Sequence, residues 1–267
     1  MQMKRRGPMK NAPLAYVFVM VQIQPITKYR EFVPDVQEEL RDLLPNFNEL
    51  KRTDNNIEIG PGGEVKTSSK ETAHYYFTDI DNKYGVMIRD DRVILHAVDY
   101  KGFADFRSRL EHILVKIKDV LRINYYRSVG IRYVDQISKV NNLDIDGIIK
   151  TDFLPKTYGD HCLEGSSQGR VEFYNSTTYG HLFLRSSMVK VQPPVPQDLL
   201  ESYATLIGSQ PENIKNTLIL DTDHVYADNS KLRTFDVSAV FNELDSMHEV
   251  CKDVFNDIVD VPKLEGA

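Results

Sequence analysis

Hydrophobic and polar positions along the chain follow two kinds of pattern, one typical of β-strands and one typical of amphipathic helices. Residues 14–26, LAYVFVMVQIQPI, are rich in β-branched and aromatic residues and are bounded by Pro25, which predicts a long strand. Between Tyr29 and Leu44 the apolar residues recur at spacings of three and four. This spacing predicts an amphipathic helix that ends at Pro45.

The next predicted elements are short strands and then a second, longer helix. A short strand is expected at residues 50–59, followed by the GPGG turn at 60–63 and a polar stretch through Glu71 that is interpreted as a loop. The strands that follow are predicted at residues 74–79, 84–89 and 92–99. From Phe103 to Arg122 the apolar positions keep a period of about 3.6 residues, which predicts a long helix.

The second half of the chain repeats this order of elements. A strand is predicted at residues 129–137 and a short helix at 145–152, and a final long helix begins after Asp236, the predicted N-cap. Between them the predicted strands are residues 169–175, 181–192 and 217–226. A proline-rich connector leads into a helical stretch at residues 197–207, which is an insertion without counterpart in the first half.

The repeated order of elements predicts an α+β fold made of two pseudo-duplicated halves. In each half the order is strand, helix, three strands and long helix. The halves are expected to form one or more antiparallel sheets covered by two long helices. The expected parts are a flexible basic leader at residues 1–12, an N-terminal half at 13–127, a C-terminal half at 128–262 packed on the first, and a tail at 263–267. Because residue identity between the halves is slight, the duplication depends on element order alone.

Composition indicates a cytoplasmic protein without a membrane-spanning segment. The chain has 267 residues and a formal net charge of −6, which provides no bulk attraction to nucleic acid or to an anionic membrane. Cys162 lies in a polar stretch and Cys251 on the apolar stripe of a helix, so we expect no disulfide between them and a reducing compartment. No stretch approaches about eighteen uncharged apolar residues, and no cofactor is predicted.

The strand GIRYVDQI supplies the first candidate binding residues. Strict alternation places Arg132 on one face and Tyr133 and Asp135 on the other. Arg132 could bind a carboxylate or a phosphate bidentately, and the competing interpretation is an arginine paired with an acid between sheet and helix. Arg170 and Arg185, on later strands, join the candidate binding residues because an open sheet face could use them to contact phosphate.

Asp221 and Asp223 in the segment LDTDHVYAD are the candidate metal ligands. They share one face of a predicted strand, while His224 and Tyr226 share the other, so these four side chains cannot all hold one cation. The competing interpretation is a solvated strand face. The histidines show neither HExxH nor zinc spacing, GPGG lacks the lysine of a phosphate-binding loop, and the adjacent His and Cys at 161–162 rarely reach catalytic geometry.

Three segments resemble a sporadically distributed, uncharacterised bacterial family of roughly this length: NAPLAYVFVMVQIQP near the start, the GIRYVDQI strand, and the final helix after TFD. The resemblance covers nearly the whole chain. It implies a patchy occurrence of the kind seen for genes in mobile or defence-related cassettes, and it carries over no catalytic residue. The order of the two halves also resembles the duplicated saddle of TATA-binding-like folds, a likeness that does not decide function.

Three functions are compatible with this sequence. The favoured hypothesis is a non-enzymatic binding or assembly protein that recognises a protein partner or forms a homo-oligomer, encoded in a mobile-element or defence-related operon. The first alternative is a nucleic-acid or nucleotide-binding module that uses an open sheet face, with Tyr and Phe for stacking. The second alternative is an enzyme whose reaction the sequence does not name.

Overall fold

The strands form one antiparallel sheet, and helices lie on both of its faces. The computed structural model describes residues 12–59, 62–138, 144–156, 169–189, 195–207, 217–227 and 231–266. Its strands are β1 (Leu14–Ile23), β2 (Asn46–Ile59), β3 (Val65–Thr78), β4 (Tyr84–Ile88), β5 (Arg92–Ala97), β6 (Tyr125–Ile137), β7 (Gly169–Thr177), β8 (Gly180–Val189), β9 (Thr217–Ala227) and β10 (Arg233–Thr234). Its α-helices are α1 (Tyr29–Leu40), α2 (Phe103–Leu121), α3 (Leu200–Ile207), α4 (Val237–Ile258) and α5 (Val261–Gly266). Short 3₁₀ turns are at Ile145–Gly147, Thr151–Phe153 and Gln197–Leu199.

The pair of strands at the centre of the sheet, β1 and β6, joins the two halves of the chain. Among the described strands the order is β2-β3-β4-β5-β1-β6-β9-β8-β7, and β10 pairs with the start of β6. The β1–β6 pair runs antiparallel from Leu14 opposite Asp135 to Ile23 opposite Tyr126. The two halves therefore share one continuous sheet, and β2 and β7 are its edges in the described part of the chain.

Helices α1, α2 and α4 pack side by side on the first face of the sheet, over the main hydrophobic core. The apolar stripe of α2 buries Ile117, and that of α4 buries Met247. The strands contribute every second residue to this core, because successive side chains point to opposite faces. Helix α4 begins at its predicted N-cap, since the Asp236 carboxylate accepts a hydrogen bond from the backbone N–H of Ala239 at 2.8 Å.

Helix α3 lies on the second face of the sheet. There Tyr203 and Leu206 pack against Tyr16, Val134 and Ile219, and the rings of Tyr16 and Tyr203 meet edge-on with their centroids 5.5 Å apart. The prediction that two long helices cover the sheet is wrong, because the described helices lie on both faces and α1 shares the first face with α2 and α4. The physical reason is that the central strands are apolar on both faces and need cover on both.

The predicted element order is also wrong in both halves. Residues 65–71, predicted as a loop, belong to β3 and pair with β2 out to Val65 opposite Ile59. Between α1 and α2 the described chain has four strands, whereas the repeated order of elements counts three. In the second half, residues 145–152 form 3₁₀ turns instead of a helix, whereas α3 lies between β8 and β9, within the helical stretch predicted at residues 197–207. Backbone pairing in a long solvent-facing hairpin needs no apolar periodicity, so the hydrophobic pattern gave no signal for it.

Several predicted features lie outside the described residues. They are residues 1–11 of the basic leader, the first half of the GPGG turn, the loop at 157–168 with His161 and Cys162, the prolines at 193–194, and the last residue of the tail. The boundary predicted between the two halves stays a prediction. None of the helices in the described part of the chain combines the length and the apolar composition that a membrane span requires.

The hairpin of β7 and β8 depends on a glycine at the start of β8. Gly180 has a φ of 128°, and a Cβ atom there would lie 2.3 Å from the backbone oxygen of Val225. We expect Gly180→Ala to lower the free energy of unfolding by about 2–4 kcal/mol, because both the φ angle and the contact with β9 become strained. Urea unfolding followed by circular dichroism measures this. Gly62→Ala is the control, because a Cβ atom there meets nothing within 4 Å; equal stability of the two variants would contradict the expectation.

Candidate functional site

Charged side chains from three neighbouring strands meet on the second face of the sheet. In the strand register, Arg132 of β6 lies opposite Asp223 of β9, and Asp221 of β9 lies opposite Arg185 of β8. Residues that lie opposite each other in an antiparallel pair share a face, so all four side chains emerge on the same side. The structure thus brings together four of the candidate residues, and a fifth, Arg170, lies on the same face of β7.

Arg132 is the most strongly engaged of these residues. Its Nε and Nη2 atoms donate to the two carboxylate oxygens of Asp221 at 2.6 and 2.8 Å, and Nη1 and Nη2 donate to Asp198 at 2.6 and 3.2 Å. Its side chain is 7% exposed and that of Asp221 is 3% exposed, whereas that of Asp198 is 65% exposed. Both carboxylates are bidentate partners, so the planar guanidinium is used almost completely within the protein.

Asp198 connects this cluster to helix α3, because it lies in the 3₁₀ turn that leads into the helix. Burial opposes its ionisation, but the hydrogen bonds and the charge of Arg132 outweigh burial and lower its pKa. One turn further on, Glu201 accepts hydrogen bonds from His74 at 2.7 Å and Tyr76 at 2.8 Å and pairs with Arg52. Two acidic residues therefore hold α3 onto the sheet at separate points.

The charged cluster continues outward to the edge of the sheet. Arg185 approaches Asp221 at 3.3 Å and Asp223 at 3.7 Å, and its Nε donates to Glu172 of β7 at 3.2 Å. Glu172 in turn pairs with Arg170 at 2.8 Å. We call this set the arginine–carboxylate network; its members are Arg132, Arg170, Arg185, Glu172, Asp198, Asp221 and Asp223. It contains three cations and four carboxylates, so it offers no excess positive charge to a phosphate.

The predicted metal ligands take part in this network as partners of arginine. Burial raises the pKa of Asp223, and the charge of Arg132 opposes that effect. In the described ranges there is no group of three or more His, Cys, Asp or Glu placed to hold a metal ion. A cation at Asp221 and Asp223 would have to compete with two guanidinium groups, and the metal site stays a prediction without a coordination shell.

Tyr133 and Asp135 lie on the first face of the sheet, away from the network, as the alternation along β6 predicted. The Tyr133 hydroxyl lies 2.7 Å from Nδ1 of His248 on α4, and the imidazole stacks on Phe103 with the ring centroids 3.8 Å apart. Burial lowers the pKa of His248 to about 4, which keeps the imidazole neutral. The five candidate binding residues therefore divide between the two faces and do not form one site.

Asp135 is a buried carboxyl, and no ion pair among the described residues includes it. Burial raises its pKa to about 8, and the charge of Asp221 on the other face contributes in the same direction. The protonated carboxyl therefore predominates at neutral pH, and Asp135 belongs to the interior of the protein.

The outer strand β7 is the most exposed apolar part of this half of the sheet. Phe173, Tyr174 and Tyr179 are all exposed in the β7–β8 hairpin. Tyr174 stacks on His181 and contacts Phe183, with ring centroids 5.5 and 4.9 Å apart. No strand in the described residues pairs with the outer side of β7, which we call the β7 edge. Its backbone N–H and C=O groups are thus placed to pair with another chain.

The alternation pattern could not reveal several residues of this site. Asp198 and Glu172 complete the network, and Glu201 holds α3, yet none of them was a candidate. Asp198 lies 66 residues from Arg132 along the chain. No spacing rule connects acids in a turn, an edge strand and a helix, because their proximity is created by the sheet register and by the docking of α3.

Breaking the buried ion pair should cost far more than breaking the exposed one. We expect Arg132→Met to lower the free energy of unfolding by about 3–5 kcal/mol, because it leaves the buried Asp221 carboxylate without its bidentate partner. Asp198→Asn should cost less than about 1 kcal/mol, since that carboxylate is mostly solvated. Chemical denaturation of both variants at neutral pH checks this. Equal losses of unfolding free energy would show that the buried pair stabilises the protein no more than the exposed one.

The buried Asp135 carboxyl should make stability depend on pH. In the unfolded chain its pKa is about 4, and in the folded protein it is about 8. Between these values the folded state keeps a proton that the unfolded state has released, so raising the pH lowers the free energy of unfolding. Asp135→Asn removes this effect, and we expect its stability relative to the natural protein to rise by a few kcal/mol from pH 5 to pH 9. The control in the same urea titrations is Asp42→Asn, which makes the same change at an exposed side chain.

No model of a known protein family and no curated protein matches this chain. The likeness of its three segments to a sporadically distributed bacterial family therefore stays a prediction. Its own residues offer two features: a network in which each arginine is paired with a carboxylate, and an exposed strand edge beside that network.

Proposed function

We propose that this chain is a non-enzymatic binding or assembly protein that recognises a protein partner at the β7 edge. One observation carries the proposal: β7 is an edge strand whose hairpin exposes Phe173 on one face of the sheet, Tyr174 on the other and Tyr179 in the turn. Aromatic residues and arginine are enriched at protein interfaces, and exposed aromatic clusters mark them. A partner strand added to this edge would gain main-chain hydrogen bonds and would bury these rings.

The composition of the two edges supports β7 over β2 as the binding edge. The described side chains of β2 include Glu49, Lys51 and Arg52, and charged side chains are a common protection of an edge strand against pairing. Strand β7 has only Arg170 and Glu172, which pair with each other. The β7 edge therefore keeps little net charge that would repel a partner.

The charges of the second face speak against the nucleic-acid alternative. A phosphate at Arg132 would have to displace two bidentate carboxylates, and one at Arg185 would meet Asp221, Asp223 and Glu172. Phosphate contacts supply most of the affinity of such proteins, so a face on which Arg132, Arg170 and Arg185 are each paired with an acid is poorly suited to them.

The proposal extends to the setting of the protein. We place it in the cytoplasm, because its two cysteines lie in dissimilar sequence surroundings and Cys251 is free and buried in the core. The resemblance to a patchily distributed bacterial family supports a gene in a mobile or defence-related operon, where assembly proteins act with the products of neighbouring genes.

Purification of the tagged chain from its native host tests the proposed edge. We expect a stoichiometric protein partner, identified by mass spectrometry, to co-purify with the natural chain. Its recovered amount should fall by about tenfold or more with Phe173→Lys, because the change removes an aromatic anchor and puts a charge on the edge. Val115→Lys on α2 is the matched control, since Val115 is 42% exposed and Phe173 is 37% exposed. The proposal is contradicted if both variants recover equal amounts of the same protein. It is also contradicted if salt releases nucleic acid and no protein partner is found.

A further inference from the structure

We propose that the partner at the β7 edge is a second copy of this chain, which adds its own β7 antiparallel across a two-fold axis at Val171. The inference rests on the proposed function, because it names the partner of the same edge. Its basis is the order of side chains along β7, which complements itself when the strand is turned around.

The charges of β7 are self-complementary about Val171. Arg170 and Glu172 flank this residue and point to the same face, which is the face of the arginine–carboxylate network. In an antiparallel pair centred on Val171, each Arg170 lies opposite Glu172 of the second copy. Opposite charges at directly facing positions stabilise a strand pair, and the two-fold axis makes this contact twice.

Both charged side chains are exposed and can change partners. Within one chain Arg170 pairs with Glu172 at 2.8 Å, and Glu172 also accepts from Arg185 at 3.2 Å. In the dimer each Arg170 would move from its own Glu172 to that of the second copy, while Arg185 stays in place. The arginine–carboxylate network would then run through both copies without an added unpaired charge.

The opposite face of β7 offers an apolar contact in the same register. Phe173 would lie opposite Gly169 of the second copy. A Cβ atom at Gly169 would be 2.6 Å from Cβ of Pro155, so Pro155 covers that position and presents its ring to the incoming Phe173. Phe153 already contacts Phe173 within the chain, with ring centroids 5.1 Å apart, and a small apolar cluster would form on each side of the axis.

Neighbouring registers are less favourable. A pairing centred on Glu172 would put this carboxylate opposite itself, and like charges in direct opposition are destabilising. A pairing centred on Phe173 would align all of β7 but would leave Arg170 opposite Ser176, without an acid. The Val171-centred register alone among these matches each charge on the strand with its opposite.

Charge reversal tests the pairing in solution, with sedimentation equilibrium of the purified chain over a range of concentrations. We expect the natural protein to form a concentration-dependent dimer, and Arg170→Glu and Glu172→Arg to weaken it by about tenfold or more. An equimolar mixture of these two variants should regain dimerisation, since every facing pair is again of opposite charge. Lys252→Glu, a charge reversal on α4 at a side chain that is 39% exposed, is the control and should leave the dimer unchanged.

Cysteine cross-linking tests the register independently of charge. Facing residues in an antiparallel pair lie about 4.5–5.5 Å apart at Cα, which a disulfide can span. With Cys162 replaced by serine, oxidised Val171→Cys should give a covalent dimer, while Phe173→Cys should give little. Preferential cross-linking of Phe173→Cys would overturn the Val171-centred register.

The outcomes separate this inference from the proposed function. A natural protein that stays monomeric at all concentrations, or a variant mixture that does not regain dimerisation, overturns the second copy as partner. If the host partner is nevertheless lost with Phe173→Lys, the edge binds a different chain and the proposed function stands. If the dimer forms but Phe173→Lys and Val115→Lys recover the same host proteins, recognition of a different protein at this edge is overturned and the edge serves self-assembly alone.

Discussion

The antiparallel pair of β1 and β6 is the constraint on which the rest of the structure depends. The two strands join the halves of the chain, and almost every residue of β6 is buried. Their register fixes which side chains meet: Phe18 lies opposite Arg132, and Val17 lies opposite Tyr133. A slip by one residue would exchange the faces and would place the Arg132 guanidinium in the apolar core beneath α4.

A buried guanidinium at the centre of the sheet has consequences for its surroundings. Arg132 cannot remain unpaired at this depth, so Asp221 must lie beside it, and Asp198 brings the start of α3 over the second face. The Asp221 carboxylate in turn accepts a hydrogen bond from Nη1 of Arg185, and the Nε of Arg185 orients Glu172 on β7. The charge that sits at the sheet centre thus sets the side-chain arrangement of the outer edge, where binding is proposed.

Alternation along single strands could be predicted from the sequence, because it depends only on the backbone. Alternation puts Arg132 on the face opposite to Tyr133 and Asp135, and it puts Asp221 and Asp223 on one face, as the strand register has them. The long helices and the Asp236 cap followed from local rules in the same way. The sequence pattern failed where tertiary contacts decide. The start of β3 is polar, so the apolar pattern did not indicate its pairing with β2. The helical stretch that contains α3 follows from local pattern, but its docking on Tyr16 and the contacts of Asp198 and Glu201 join residues that are distant in the chain.

The two edges of the sheet differ in what they can do, and this difference limits the kind of assembly. Strand β2 is long and charged, and Arg52 ties it to Glu201 of α3, whereas β7 is short and aromatic, and its two charges complement each other. When β7 pairs with the β7 of a second copy, the β7 edges of both copies are occupied, because a two-fold contact uses the same surface on each copy. The charged β2 strands would then lie at the two outer ends of the joined sheet, where they disfavour further addition. A closed pair, not a growing fibre, is therefore the assembly that this arrangement of edges favours.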